Sequence, residues 1–232
     1  MDHRGNPAAL SVRPEAVPVT TPAAPGTHRL GVEAHGDSVL CVPSRPPTGR
    51  PIPLLVALHG AGGLPAGSLS VLQTVADQYD SAVLVPVSRS STWDGIRTGY
   101  GVDVEVINRS LHRAFRAVAV DPGRVGIAGF SDGASYALGL GLANGDLFGH
   151  IIAFSPGFIP PAGRVGQPRI LISHGVTDPV LPIGRTSRRI VPALEQDAYD
   201  VTYLEFNGGH TIPPDIALRA AAWLGWKGLS TG

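Results

Sequence analysis

The 232-residue chain is poor in the residues that mark several classes of protein. It has one cysteine, Cys41, so it can form no intrachain disulfide and no metal site built from several thiolates. Lys227 is its only lysine, and Lys plus Arg equals Asp plus Glu at 18 each, so no net positive field attracts nucleic acid. No apolar run is long enough to span a bilayer. The composition therefore argues against nucleic-acid-binding and membrane-spanning proteins.

The first 27 residues are rich in Pro, Ala and Thr and show no apolar periodicity. We interpret residues 1–27 as a flexible arm and residues 28–232 as a single domain. The start of the chain has none of the apolar stretch of roughly 7–15 residues that a secretory signal needs. We therefore expect a cytoplasmic protein.

Beyond residue 27, short β-rich runs alternate with helical patterns. Three runs, Ile52–Leu58, Arg124–Gly129 and Arg169–Ser173, are almost continuously apolar, as strands covered on both faces should be. No helical pattern separates the first two predicted strands, His28–Val32 and Ser38–Pro43, and we expect these two to pair antiparallel at one edge. The fold class indicated is α/β: a mostly parallel, doubly wound sheet of about eight strands flanked by helices. The predicted strands are His28–Val32, Ser38–Pro43, Ile52–Leu58, Ala82–Val87, Arg124–Gly129, Ile151–Phe154, Arg169–Ser173 and Val201–Phe206, and the predicted helices are Leu69–Tyr79, Val104–Ala119, Asp132–Asn144, Thr186–Ala198 and Pro214–Trp226.

The most informative motif is Gly129-Phe130-Ser131-Asp132-Gly133, at the junction of a predicted strand and a predicted helix. A serine in such a sharp turn projects its hydroxyl above the edge of the sheet, and the helix N-terminus directs backbone N–H groups at the same point. The glycines leave room for the turn. We interpret Ser131 as a candidate nucleophile; the alternative is a serine that only caps the helix.

Two further polar residues follow strand ends in the order that a Ser-Asp-His triad of this topology requires. Asp178 comes after Arg169–Ser173, and His210 lies in a glycine-rich loop after Val201–Phe206. An imidazole at His210 could take the serine proton, and a carboxylate at Asp178 could orient it. Asp178 could instead serve only as a turn residue before a proline. Asp197 and Asp200 are poorer candidates, because both follow a helix.

The loop His59-Gly60-Ala61-Gly62-Gly63 follows the strand Ile52–Leu58. Its backbone could turn an N–H inward, and with the N–H of Asp132 this would form a two-donor oxyanion hole. Ala61 is the preferred first donor and Gly62 the next. A phosphate-binding loop is the alternative, but the Gly-Lys-Ser/Thr and dinucleotide glycine spacings are absent.

Together these motifs resemble the α/β-hydrolase superfamily, and within it the small phospholipase/carboxylesterase-type serine esterases. The resemblance covers about residues 50–226 and rests on four strings: 59–63, 129–133, 175–182 with Asp178, and 208–210. It implies ester or thioester hydrolysis through an acyl-enzyme in a catalytic domain. The Trp93-Asp94 pair matches an aromatic-carboxylate pair near the pocket of such enzymes. Polyhydroxybutyrate-depolymerase-like and feruloyl-esterase-like relatives share the pattern.

No insertion longer than about 20 residues interrupts the alternation, so we expect no cap domain. The leading hypothesis is a serine carboxylesterase acting on small-molecule esters of short to medium acyl chains, without metal or organic cofactor. Alternatives are an esterase for polyesters, feruloyl esters or lysophospholipids, and a non-catalytic binding protein of the same fold. The candidate substrate contacts are Gly62, Trp93, Phe130, Phe158 and Leu181.

Overall fold

The computed structural model of the protein describes residues 5–15, 19, 21–33, 36–44, 49–63 and 79–226. The described residues form one eight-stranded sheet with the order β1-β2-β4-β3-β5-β6-β7-β8. The strands are β1 (Gly26–Arg29), β2 (Val39–Val42), β3 (Ile52–Leu58), β4 (Ala82–Val85), β5 (Val120–Phe130), β6 (His150–Phe154), β7 (Arg169–Gly175) and β8 (Val201–Phe206).

The strand directions follow the expected plan. β1 pairs antiparallel with β2 and β2 with β4, and from β4 onward every pairing is parallel, which confirms the expected antiparallel edge. Helices follow most of the parallel strands, as crossover connections require. They are α1 (Asp94–Arg97), α2 (Val102–Ala117), α3 (Asp132–Ala143), α4 (Ser187–Gln196) and α5 (Pro214–Leu224), with a 3₁₀ turn at Ile183–Arg185.

The core has two layers, one on each face of the sheet. Successive side chains of β3 point to opposite faces, so Leu54 and Val56 join the cluster under α2, α3 and α4, whereas Leu55 and Ala57 join the cluster under α5. Helix α3 is buried along its length from Gly133 onward. The sheet is therefore covered on both sides, and the carboxyl ends of its parallel strands share one edge where a site can form.

Part of the predicted N-terminal arm is packed against this core. Ala8 and Leu10 are almost wholly buried, and Asn144 at the end of α3 accepts a hydrogen bond from the Leu10 N–H at 2.7 Å and donates one to the Ala8 carbonyl at 2.8 Å. At these positions the arm is not loosely packed, because its two apolar side chains fill core space. The division of the chain at residue 27 stays a prediction.

The element boundaries differ from the sequence prediction where local polar contacts intervene. The first strand lies two to three residues earlier than His28–Val32, because the backbone N–H groups of Gly31 and Val32 turn to the Asp37 carboxylate. β4 ends at Val85, since Pro86 has no N–H for the ladder. Helix α1 was not predicted. The predicted helix Leu69–Tyr79 falls almost wholly outside the described residues.

Candidate active site

Ser131 stands in a strained turn between β5 and α3. Its φ of 56° lies in the left-handed region that a non-glycine residue rarely adopts, and its N–H is held by the Phe154 carbonyl of the neighbouring strand at 2.9 Å. A Cβ at Gly129 would lie 2.1 Å from the Gly133 carbonyl oxygen, and a Cβ at Gly133 would lie 2.4 Å from the His59 carbonyl. The turn therefore requires glycine on both sides of the serine, as the motif predicted.

The structure brings the three candidate catalytic side chains together from three separate strand ends. The ring nitrogen Nε2 of His210 lies 2.8 Å from Ser131 Oγ, and Nδ1 lies 2.6 Å from Asp178 Oδ2. The carboxylate can only accept, so Nδ1 carries the hydrogen and Nε2 presents a lone pair to the serine hydroxyl. This arrangement can move a proton from the serine oxygen to the imidazole.

The Asp178 carboxylate is buried but well supplied with donors. Oδ1 accepts hydrogen bonds from the N–H groups of Val180 and Leu181, each at 2.8 Å, and Oδ2 accepts from His210. Burial by itself raises the pKa of Asp178, but the hydrogen bonds from Leu181, His210 and Val180 outweigh it and hold that pKa below its usual value. The carboxylate is therefore ionised wherever the imidazole can act as a base.

The two rival aspartates lie elsewhere. Asp197 forms an ion pair with Arg164, and Asp200 forms one with Arg169 at 2.9 Å, in both cases with partly exposed side chains. Both carboxylates are thus paired with an arginine at the surface, and neither carboxylate contacts His210.

The loop after β3 lies directly against the nucleophile. A Cβ at Gly60 would be 3.4 Å from the Ser131 Cβ, so Gly60 allows this close approach. The Gly62 N–H is engaged with the Ser91 carbonyl at 2.6 Å. The N–H groups of Ala61 and Asp132 have no acceptor among the hydrogen bonds of the described residues. Of the two loop donors considered, Ala61 is thus the one that remains available to an oxyanion.

Residues 88–93 brace this loop and the start of α3, a role that the sequence did not signal. The Ser88 N–H donates to His59 Nε2 at 3.2 Å, the Trp93 indole N–H donates to the His59 carbonyl at 2.9 Å, and the Thr92 hydroxyl donates to Asp132 Oδ2 at 2.6 Å. Burial lowers the pKa of His59, which keeps the ring neutral so that Nε2 can accept. Both candidate oxyanion donors are therefore positioned by one neighbouring loop.

The candidate substrate contacts fall into two groups. Trp93 is completely buried, and its ring stacks on Tyr136 with centroids 5.1 Å apart, so it is a core residue, and this position does not support the expected contact with an acyl group. Phe130 lies with its ring centroid 4.7 Å from that of His210, and Phe158 is 42% exposed. Leu181 is half-buried beside Gly157.

Asp94, the other half of the Trp93-Asp94 pair, also has a structural role. Its carboxylate accepts hydrogen bonds from the Tyr136 hydroxyl at 3.0 Å and from the Asp103 N–H at 2.9 Å, while Asp103 accepts from the Asp94 N–H in return. The hydrogen bonds between Asp94 and Asp103 therefore hold α1 to the start of α2, which is a structural role and not a contact with substrate.

In the part of the chain that the structure describes, no three His, Cys, Asp or Glu side chains are grouped to hold a metal ion. None of the helices described there combines the length and apolar character needed to cross a membrane.

The strand order, the strained serine at the β5–α3 junction and the Ser-His-Asp contacts define an α/β-hydrolase with no cap domain among its described residues. The model of the phospholipase/carboxylesterase family matches residues 102–221, which include all three of these residues, and the chain belongs to this family. It is a carboxylic ester hydrolase.

Solved structures agree with this assignment. The crystal structure of esterase PE8 is 26% identical with a TM-score of 0.65, and the match covers 78% of this chain and 95% of that one. The fold is shared with FphF, a fluorophosphonate-binding serine hydrolase of Staphylococcus aureus (17% identity, TM-score 0.68, covering 88% and 98%), and with the Bacillus cereus carboxylesterase (20% identity, TM-score 0.63, covering 83% and 95%). Comparison with curated protein sequences gives no match.

Proposed function

We propose that the protein hydrolyses carboxylic esters of short to medium acyl chains through an acyl-enzyme on Ser131, with His210 as base and Asp178 as its orienting acid. The observation that carries this proposal is the continuous hydrogen-bond chain from Ser131 Oγ through both nitrogens of His210 to Asp178 Oδ2. With the hydrogen on Nδ1, His210 can take the proton of the serine hydroxyl, and Asp178 can stabilise the imidazolium that results.

We infer the following reaction from this arrangement. Ser131 Oγ attacks the ester carbonyl carbon as its proton passes to His210 Nε2, and the carbonyl oxygen takes up negative charge. The N–H groups of Ala61 and Asp132 donate to that oxyanion. His210 then returns the proton to the departing alcohol, leaving the acyl-enzyme. Water, deprotonated by the same imidazole, attacks the acyl carbon; the bond from that carbon to Ser131 Oγ breaks, the imidazolium returns its proton to Oγ, and the carboxylic acid leaves.

The preference for short to medium chains rests on how little apolar wall the described loops offer. Phe130, Phe158 and Leu181 are the candidate apolar contacts, and an added methylene gains about 0.8 kcal/mol only while such wall remains to bury it. We propose a small-molecule ester as the substrate.

Two measurements test the proposal. A fluorophosphonate probe should add one adduct, which mass spectrometry maps to the peptide containing Ser131. Ser131→Ala should abolish the adduct and lower kcat/KM by several orders of magnitude. The matched control is Ser91→Ala, an exposed serine whose carbonyl, not its side chain, contacts Gly62; it should behave as wild type. An adduct on another serine would refute the assignment.

The substrate range is tested with p-nitrophenyl esters from C2 to C16, beside methyl ferulate and an insoluble polyester. We expect the highest kcat/KM at acetate or butyrate, and no jump in rate when tributyrin passes its solubility limit. A maximum at C12 or longer, or preference for the ferulate or the polyester, would contradict the proposed chain-length range while leaving the nucleophile unaffected.

A further inference from the structure

A second histidine lies against the buried carboxylate, and the mechanism above does not use it. His174 is the sixth residue of β7, and its side chain is completely buried. Its Nδ1 lies 2.7 Å from Ser187 Oγ, and its Nε2 lies 2.8 Å from the Leu181 carbonyl oxygen and 3.2 Å from Asp178 Oδ2. The ring therefore connects the strand, the first turn of α4 and the segment that carries the acid.

The neighbours of the ring decide which nitrogen carries the hydrogen. The Leu181 carbonyl and the Asp178 carboxylate can only accept, so Nε2 carries the hydrogen; it donates to the Leu181 carbonyl at 2.8 Å, and Asp178 Oδ2 lies 3.2 Å from the same nitrogen. Burial lowers the pKa of His174 and keeps the ring neutral, so Nδ1 has a lone pair and accepts from the Ser187 hydroxyl. Both ring nitrogens are thereby satisfied, and the Nε2–H edge of the ring lies beside the acid.

This places three hydrogen-bond donors and the Nε2–H edge of His174 around one carboxylate. The backbone N–H groups of Val180 and Leu181 hold Oδ1 of Asp178, and the two histidines His210 and His174 both reach Oδ2. Without His174, the side of Oδ2 that faces β7 would have no polar partner among these contacts. Its N–H also fixes the Leu181 carbonyl, so that one imidazole holds both ends of the turn formed by residues 178–181.

We propose that His174 is a positioning residue of the active site: its Nε2–H holds Asp178 Oδ2 where it accepts the hydrogen bond of His210. This inference rests on the proposed function, in which His210 is the base. The positions of catalytic groups matter because a displacement of about 1 Å can cost about 100-fold in rate.

Among the described residues, few charged groups surround His174. Asp178 and His210 face it from the loops after β7 and β8, and Glu205 is its register partner on β8. The Arg188 side chain of α4 donates twice to Glu205 at 2.8 Å and holds the pKa of Glu205 at about 2, so that this carboxylate keeps its charge across the range in which the enzyme is assayed. Changes in the acid limb of the rate profile can thus be assigned to the Asp178–His210 pair.

The test compares two replacements that differ in which nitrogen of the ring they imitate. In His174→Gln the amide N–H₂ can reach the place of Nε2 and donate to Asp178. In His174→Asn the amide reaches only the place of Nδ1, beside Ser187. Both keep a buried polar group of similar size, so folding is affected alike, and circular dichroism with urea unfolding verifies this. Ser187→Ala, which removes the partner of Nδ1 only, is the control.

We expect His174→Gln to keep kcat/KM at least tenfold above that of His174→Asn, with the loss in kcat rather than in KM, and Ser187→Ala to remain within about threefold of wild type. In His174→Asn the carboxylate lacks one donor and attracts the imidazolium more strongly, so the acid limb of kcat/KM should move to higher pH. Equal kcat/KM in the two variants, or an unmoved acid limb in His174→Asn, would refute the proposal. Failure of the proposed function shows separately, as wild-type enzyme whose Ser131 takes no fluorophosphonate.

Discussion

Replacing Asp178 by asparagine should disable the enzyme through the tautomer of His210. The two backbone N–H groups of Val180 and Leu181 hold Oδ1 at 2.8 Å each, so the amide oxygen of the new side chain must take that place. The amide N–H₂ then occupies the place of Oδ2 and donates to Nδ1 of His210. The ring must carry its hydrogen on Nε2, which faces Ser131 Oγ, and can no longer accept the serine proton.

The size of the effect follows from what is lost. Attack on the ester then has to proceed without a base. The imidazolium, in addition, has lost the carboxylate that stabilises its charge. The same replacement in the triad of a serine protease costs about 10⁴-fold in kcat, or about 5.5 kcal/mol of transition-state stabilisation. Here the amide N–H₂ also meets the Nε2–H of His174 at the 3.2 Å contact, so we expect a loss of roughly 10⁴-fold or more, together with some loss of stability.

The assay is kcat/KM on p-nitrophenyl butyrate, with urea unfolding to verify that the variant is folded at the assay temperature. Asp200→Asn is the matched control, because Asp200 is a partly exposed partner of Arg169 and should stay within about twofold of wild type. An Asp178→Asn enzyme within tenfold of wild type would refute the tautomer argument. Loss of activity in Asp200→Asn instead would mean that the acid lies there.

Three further outcomes are expected. Leu10→Ala should lower the free energy of unfolding, measured with urea, by about 2–5 kcal/mol, because Leu10 is 1% exposed. The control Val102→Ala, at an exposed side chain, should change this free energy by less than about 0.5 kcal/mol. Equal values for the two variants would mean that the arm is not part of the core. Burial lowers the pKa of His59, His150 and His174, so near pH 6 the unfolded chain binds more protons than the folded chain. The free energy of unfolding should therefore rise with pH from about 5.5 to 6.5, by at most about 1.4 kcal/mol per pH unit for each histidine. A urea midpoint that stays constant over this range would contradict the prediction. EDTA should leave the hydrolysis rate unchanged; a loss that zinc or calcium restores would contradict a mechanism without metal.

The sheet and the candidate site could be predicted from the sequence where a local pattern carries the information. β3 and β8 have the predicted boundaries, since each is a run rich in strand-forming residues with a glycine two positions after its end, and such a pattern marks a strand without reference to the rest of the chain. The glycines beside Ser131 signalled a turn whose steric requirement is likewise local. Asp178 and His210 could be chosen because the carboxyl ends of parallel strands share one edge of the sheet.

Tertiary structure alone decided the roles that depend on contacts between distant segments. Trp93 was a reasonable candidate for a pocket wall, but α3 places Tyr136 against its ring and buries it. Thr92 could not be recognised as the partner of Asp132, 40 residues away, and nothing local distinguishes His174 from the other histidines. A side chain's periodicity reports which face of its own element it occupies, whereas its hydrogen-bond partners are set by how separate elements pack.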